Sequence, residues 1–449
     1  NGEGALTIEV ARSADDFTIA HIARLVEQAQ SRQSAAERYV DRFAAWYTPA
    51  VVLVAVGVAA IPPLAFGRPF LGTSALDPGW AYRGLALLIV ACPCALVISI
   101  PVTVVSALTR LASLGVLVKG GALLQELAQV RVFAFDKTGT LTRGTPVVTG
   151  TRAPGCAHDD ETAAGCEPCE DLLAVAAAVE SGSEHPYAKA VVAAARERAL
   201  GTRYPLAESI TSHAGRGVSG TIAGQRVTVG NTALLEQETG EASTAAHDAE
   251  RSVMLVSQNG RLKGHIFVED EPRESTREAL AALAAMDPDY RFVMLTGDRR
   301  GVAARVADRL GRFDEIHAEL LPHGKLEAIA ELERRHGKTA MVGDGINDTP
   351  ALAAARLGIA MGGAGSHQAM EVADIVLMAD DLNRLPTAVA ISRKTQRVIK
   401  ENIVLSLGLK LAFLGLAIPG FATLWMAVLA DVGATVLVTL NGMRMLRAR

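Results

Sequence analysis

Residues 84–108, GLALLIVACPCALVISIPVTVVSAL, are 25 consecutive uncharged residues between Arg83 and Arg110. About 20 apolar residues cross the hydrocarbon core of a bilayer as a helix. A buried core helix of a soluble domain takes a shorter apolar stretch, about 10–14 residues. Two more stretches follow the same rule. Residues 50–66, AVVLVAVGVAAIPPLAF, carry no charge and follow Trp46 and Tyr47, aromatic side chains suited to a membrane–water interface. Residues 402–443 hold two charges, Lys410 and Asp431, and break at Pro419-Gly420, which reads as two further spans. Four spans place both ends of the chain and the block 111–401 on one side. Arg38, Arg42, Lys119, Arg397, Lys400, Arg444 and Arg447 flank that side and mark it as the cytoplasm. A multi-pass protein of a plasma membrane is expected, with the lipid bilayer as its surroundings.

The rest of the chain reads differently. A net charge of −4 gives no basic excess for nucleic acid. The five cysteines, Cys92, Cys94, Cys156, Cys166 and Cys169, are odd in number and clustered, which points to reduced thiols or metal ligands rather than a disulfide framework. Short apolar runs, VRVFAFD, RFVMLTGD and TAMVGDG, each end in an acid at a glycine-rich turn, and helical stretches such as STREALAALAAM and GKLEAIAELERR lie between them. Strands alternating with helices predict a parallel sheet whose site lies at the strand C-termini. Residues 148–268 alternate as GTIAGQRVTVGN does, which predicts a more antiparallel inserted domain.

The acids carry the chemistry. AFDKTGTLT puts Asp136 at the end of a buried strand, where a carboxylate can attack phosphorus and form an acyl phosphate. Lys137 and Lys325, the latter from LLPHGK, can offset phosphate charge, and the turn after Asp136 can present N–H groups to oxygens. LTGD supplies Thr296, Gly297 and Asp298; VGDGINDTPAL supplies Asp344, Asn347 and Asp348. Several carboxylates at one sheet edge repel unless a cation sits among them, and magnesium suits an oxygen-only site.

DKTGT, TGD and GDGIND in this order resemble the P-type ATPases, and the resemblance covers essentially the whole chain. It implies a multi-pass α-helical membrane protein with a cytoplasmic α/β haloacid dehalogenase-like phosphorylation domain and an inserted α+β nucleotide-binding domain. It implies that Asp136 becomes the aspartyl phosphate, and that Asp136, the Thr138 carbonyl and Asp344 hold Mg2+. Thr138 stands where related phosphatases carry a second acid, so the acyl phosphate should persist. DEPR at 270–273 looks like the hinge returning from the inserted domain. VESGSEHPYAKA resembles the heavy-metal branch, and by that resemblance Glu180, His185, Gly215, Gly217 and Asn231 contact ATP. GRGVSG, residues 215–220, fits a dinucleotide fingerprint only superficially. A strand-like segment follows it where a helix is required, so it reads as a glycine loop open to a nucleotide. GKT at 337–339 lacks the upstream glycine of a phosphate-binding loop.

The transported ion is read from charges inside spans, which are costly and therefore functional by default. Lys410 and Asp431 could form a structural ion pair. With Cys92 and Cys94, Asp431 makes a mixed soft and hard set suited to zinc, cadmium or lead. Lys410 could balance the empty site or displace the ion. Cys-Pro-Cys and LADVGATVLV resemble the zinc/cadmium/lead exporters. Copper(I) exporters also carry Cys-Pro-Cys, but a carboxylate is an odd ligand for Cu(I). Pro93 should kink or unwind its span and turn both thiols toward one ion; a bond between Cys92 and Cys94 is expected to be strained. Cys156, His158, Cys166 and Cys169 lie in a polar loop with metal-ligand spacing, readable as a second metal site or a free loop.

The expected order is the end of an actuator domain and a linker helix (1–43), two spans (44–110), the phosphorylation domain in two parts (111–147 and 269–400) around the nucleotide-binding domain (148–268), and two spans with a tail (401–449). NGEGALTIEV is neither signal nor transit peptide, and no Thr-Gly-Glu loop precedes residue 50. An actuator domain and earlier membrane segments are expected in a longer pump. A membrane-tethered phosphatase and a non-catalytic metal sensor are the competing readings.

Overall fold

The computed structural model describes residues 35–72, 79–154, 156, 165–213, 215–239, 252–345, 348–362, 367–417 and 423–448. The expected actuator remnant up to residue 34, His158 and Asn347 lie outside them. The chain divides into two units, one of residues up to Val130 together with those from Arg356 onward, the other Arg131–Ala355.

The first unit opens with α1 (Ala35–Phe66), followed by α2 (Gly79–Ala91) and α3 (Cys94–Ser113). The last two are halves of one apolar run, interrupted at Cys92-Pro93. Proline has no N–H and its ring clashes with the preceding turn; Pro93 sits at φ −82°, ψ 27°, just before α3 begins. Among the described residues, three segments are long and apolar enough to cross a membrane: Ala45–Phe66, Gly79–Ser113 and Trp425–Arg447. Leu53, Leu64, Phe66, Trp425 and Leu429 are exposed on them, as side chains that face lipid are. A short strand, β1 (Val116–Val118), and α4 (Gly121–Leu127) end this stretch.

The second unit begins with β2 (Val132–Asp136), buried throughout, and β3 (Thr142–Arg152). Then come α5 (Glu167–Glu180), α6 (Pro186–Glu197), β4 (Glu208–His213), β5 (Gly217–Ile222), β6 (Gln225–Gly230), α7 (Thr232–Thr239), β7 (Ser252–Gln258) and β8 (Arg261–Pro272). The strands β3-β8-β7-β6-β5-β4 form an antiparallel sheet. Val148 and Val268, the expected edges of the inserted domain, are cross-strand partners in the β3–β8 ribbon. The chain then alternates through α8 (Glu274–Met286), β9 (Arg291–Leu295), α9 (Arg300–Leu310), β10 (Glu315–His317), α10 (Pro322–His336), β11 (Thr339–Gly343) and α11 (Thr349–Ala354). Here β11, β2, β9 and β10 pair in parallel. Phe133, Tyr290 and Phe292 fill the core beside them; Phe133 meets Tyr290 edge-on at 5.1 Å and stacks on Phe292 at 6.3 Å. Register places the acids: Asp136 pairs with Leu295, one residue before Thr296, and Phe135 pairs with Val342, two residues before Asp344.

The first unit resumes with β12 (Leu357–Gly362), α12 (His367–Val372) and β13 (Ile375–Met378), where β13 pairs with β12 in parallel and β1 antiparallel. It ends with α13 (Arg384–Ala417) and α14 (Leu424–Met443). The expected span within 402–418 is the second half of α13. Its described part ends at Ala417, and it does not qualify as a span by length and composition.

Candidate active site and membrane ligands

Asp136 ends β2 at 5% exposure, and Lys325, near the start of α10, reaches it from the neighbouring element. Lys325 Nζ lies 2.5 Å from Asp136 Oδ1 and 2.5 Å from Asp348 Oδ1, so one ammonium bridges two buried carboxylates. Burial and the repulsion of Asp348 push the Asp136 carboxyl up to about 7, against the attraction of Lys325. Burial pulls Lys325 down, but Asp136 and Asp348 outweigh it and the net direction is up. The opposite oxygen, Asp348 Oδ2, is buried without a hydrogen bond. Lys137 is ion-paired with Asp298, and Thr296 Oγ1 accepts the Asp298 N–H at 3.1 Å. Gly297 is the turn between them. Thr138 and Gly139 form an irregular turn after the strand; at Gly139, φ +75°, a Cβ would stand 2.6 Å from Asp344 Oδ2. That places Asp344 against the turn and explains why a glycine is there.

DEPR at 270–273 looks from the sequence like a hinge alone. The structure gives its ends a further task. Asp270 Oδ1 accepts from Gly144 N–H at 2.9 Å and Oδ2 from Thr142 Oγ1 at 2.5 Å. Arg273 donates to the carbonyls of Thr142 and Gly139, both at 2.9 Å. Together they hold the loop behind Asp136. Charged residues three apart beside a proline were visible in the sequence, but their target was not.

Glu180, His185, Gly215, Gly217 and Asn231 all line one cavity of about 320 Å³ with Ser183, Tyr187 and Arg216. Gly217 cannot carry a side chain, because a Cβ would lie 2.2 Å from the Val229 carbonyl. Asn231 donates to the Gly215 carbonyl at 3.2 Å and accepts from Leu234 N–H at 3.1 Å, so it shapes the glycine loop. His185 caps α6 by accepting the Tyr187 N–H at Nδ1. Glu180, 4% exposed, is pushed up to about 7 by burial.

Residues 130–356 match the haloacid dehalogenase-like hydrolase family. The chain is 42% identical to a probable cadmium-transporting ATPase of Listeria monocytogenes, covering all of this chain and 62% of that protein. It is 41% identical to the zinc/cadmium/lead-transporting P-type ATPase of Escherichia coli K12, covering 99% of this chain and 57% of that one. The crystal structure of a zinc-transporting PIB-type ATPase in the E2.Pi state matches at 40% identity over 98% of this chain and 69% of that chain, with a TM-score of 0.75. The chain belongs to the metal-transporting P-type ATPases. It spans about three fifths of the length of the curated relatives it matches.

In this member of the family the membrane residues depart from the expected set. The sulfurs of Cys92 and Cys94 are joined as a disulfide, with Cα atoms 5.6 Å apart, an ordinary separation for a bridge. The sequence reading has them as separate thiolates; the break at Pro93 removes the regular helix geometry that would keep the side chains apart. Asp431 Oδ1 lies 3.6 Å from Lys410 Nζ, the ion pair that was one of the two readings of these charges. Asp431 and the two sulfurs do not form a ligand cluster among the described residues. The helices do adjoin: Ala95, next to Cys94, packs with Ala434, one turn beyond Asp431, and with Val438 and Leu409. A polar link not foreseen from the sequence joins α13 and α14 away from the ion pair: Asn441 Nδ2 donates to Asn402 Oδ1 at 2.8 Å and Asn402 Nδ2 to the Val438 carbonyl at 3.2 Å. Asparagines on apolar helices were the available signal.

Proposed function

We propose that this chain is the phosphorylating and ion-conducting part of an ATP-driven exporter of soft divalent ions, zinc, cadmium or lead. The observation that carries the reading is the Asp136–Lys325–Asp348 cluster at the C-terminal sheet edge. The parts divide at Val148 and Val268 into a phosphorylation domain and an inserted nucleotide-binding domain. ATP enters the cavity of Glu180, His185, Gly215, Gly217 and Asn231, with backbone close at the two glycines. The Asp136 carboxylate attacks the γ-phosphorus; the bond from that phosphorus to the bridging oxygen breaks, and ADP leaves with its electron pair. Lys325, Lys137 and the Thr138–Thr140 turn meet the charge on the transferred group. Thr296, Asn347 and Asp348 order the edge around it. Thr138 offers no carboxylate to act as general base on an attacking water, so the aspartyl phosphate persists.

Asp136, the Thr138 carbonyl and Asp344 would hold Mg2+. The donor set fits: all oxygens, with Asp348 and Asp344 repulsion on Asp136 to be relieved and a buried carboxylate oxygen unpartnered nearby. When bound, magnesium supplies positive charge to the phosphate oxygens. In the membrane, reduced Cys92 and Cys94 with Asp431 are the ion's ligands, and Lys410 replaces the ion when the site is empty. A carboxylate in the set favours a divalent ion over Cu(I).

The test is reconstitution of the complete protein and phosphorylation from labelled ATP during titration with each metal. Wild type should respond to zinc, cadmium or lead; Asp136→Asn should take no label; Asp431→Ala should lose the metal response. Labelling indifferent to metal rejects the pump, and a response confined to Cu(I) rejects the divalent assignment. Lys410→Ala with unaltered turnover and release would remove Lys410 from the mechanism.

A further inference from the structure

Outside the membrane, three thiols converge. Cys156 Sγ lies 3.0 Å from Cys166 Sγ and 3.5 Å from Cys169 Sγ, and the three sulfurs lie within 4.8 Å of one another. We propose that Cys156, Cys166 and Cys169 form a thiolate site for a soft divalent cation on the nucleotide-binding domain, separate from the membrane ligands.

Cys166 and Cys169 share the start of α5 and Cys156 comes from beyond the end of β3, so the meeting of the three is tertiary. Cys156 lies four residues beyond β3, its N–H bonded to the Ala153 carbonyl at 3.2 Å. Cys166 is the residue before α5. Cys169, 1% exposed, is in the first turn of α5, and its sulfur contacts the Thr151 carbonyl at 3.4 Å. Zinc–sulfur bonds of about 2.3 Å in a tetrahedron place sulfurs about 3.8 Å apart. The spacings from Cys156, 3.0 and 3.5 Å, need to open by about 0.8 and 0.3 Å to reach that separation. Cys166 and Cys169 have the two-residue gap of structural zinc sites. The N-terminal end of α5, 14 residues long, favours negative charge, and three thiolates would bring it. Apolar side chains, Leu172 and Ala153 among them, back the cluster and limit water, as in soft-ligand sites. Three thiolates, with water or a small thiol as a fourth ligand, select zinc, cadmium or lead over magnesium or calcium.

Two other fates are open to such a cluster. Cys156 and Cys166 could join as a disulfide, which a reducing cytoplasm opposes. The thiols could simply pack as small apolar groups, but burial alone does not require three sulfurs at one point. A bound ion would fasten the end of β3 to the start of α5, whose last residue, Glu180, lines the nucleotide cavity.

The experiment uses the full chain under reductant in a Cys92→Ser/Cys94→Ser background, so that membrane thiols do not contribute. Cadmium alone is titrated and followed by its thiolate charge-transfer absorption and by metal analysis after desalting. The expected result is one retained cadmium per chain with the band, and a higher unfolding temperature for the loaded protein. Adding Cys166→Ser or Cys156→Ser, both at partly exposed positions, should remove the band, the retained cadmium and the thermal shift together. Nucleotide binding by these variants reports that the domain is folded. No band in the background chain, a band that survives both replacements, or a Cys156–Cys166 cross-link that persists in reductant would overturn the proposal.

Discussion

Asp136 and its neighbours show how a single buried cation decides a site. Lys325 is 8% exposed and touches two carboxylates buried more deeply still, Asp136 and Asp348. Removing one partner of such a set leaves charge uncompensated, at a cost of about 3–5 kcal/mol. Lys325→Met is therefore expected to lower the unfolding temperature of the protein and abolish the phosphoenzyme, whereas Asp136→Asn removes a repulsive charge and should abolish the phosphoenzyme without that loss; differential scanning calorimetry beside acid-quenched labelling separates the two. Glu180 gives a pH dependence. Its folded value of about 7 lies above an unfolded value of about 4.3, so between these the folded chain holds a proton that the unfolded chain has lost. Stability must fall as pH rises through that window and stay flat above it, by at most about 1.4 kcal/mol per pH unit for one group. Asp136 adds the same sign over the same window. Glu180→Gln should thus remove about half of the slope these two supply, and thermal unfolding across the window would refute this if the slope were unchanged.

At the scale of elements, strands were the legible part. VRVFAFD, RFVMLTGD and TAMVGDG became β2, β9 and β11 because a strand buried on both faces must be apolar throughout, and the acid after each marks where burial ends. Helix ends were less legible. α13 runs unbroken from Arg384 through Lys410 to Ala417; the charges up to Glu401 mark where its apolar stretch begins, but not that one helix carries both stretches. The loop after β2 was legible as chemistry but not as structure. Its shape depends on Asp270 and Arg273, which lie more than 120 residues away in sequence. Arg273 grips the Thr142 and Gly139 carbonyls through two nitrogens, a fork that lysine cannot reproduce. Arg273→Lys should slow phosphoryl transfer by about 10- to 100-fold, the scale of an ångström of misplacement, with nucleotide affinity unchanged. A matching loss of affinity in equilibrium nucleotide titration would show that the grip serves binding instead.

At the scale of the molecule, order along the chain carried most of the reading. Asp136, Asp298 and Asp344 were assigned together because three acids recur in one sequence, and strand register then explains why they meet. Glu180, His185 and Asn231 were assigned from resemblance to a family, since each alone would pass for a surface or capping residue; the cavity they line depends on a fold that periodicity cannot reveal. Cys92 and Cys94 were read as soft ligands; that they are bonded to each other was not legible, because it depends on how far the helix opens at Pro93. That bond makes a prediction about the proposed exporter. With the proposed ligand set, bonded sulfurs would leave Asp431 without soft partners, and an ion would gain nothing from the membrane unit with which to bias events at Asp136. Reduction frees two thiolates, and coupling between distant sites is commonly worth about 1–3 kcal/mol, or about 5- to 150-fold. Metal stimulation of phosphorylation should accordingly appear only in the reduced protein, while Cys92→Ser/Cys94→Ser should be unresponsive in either state. Equal stimulation before and after reduction, with the thiol count verified by alkylation, would mean that the ion enters the cycle through residues other than this pair.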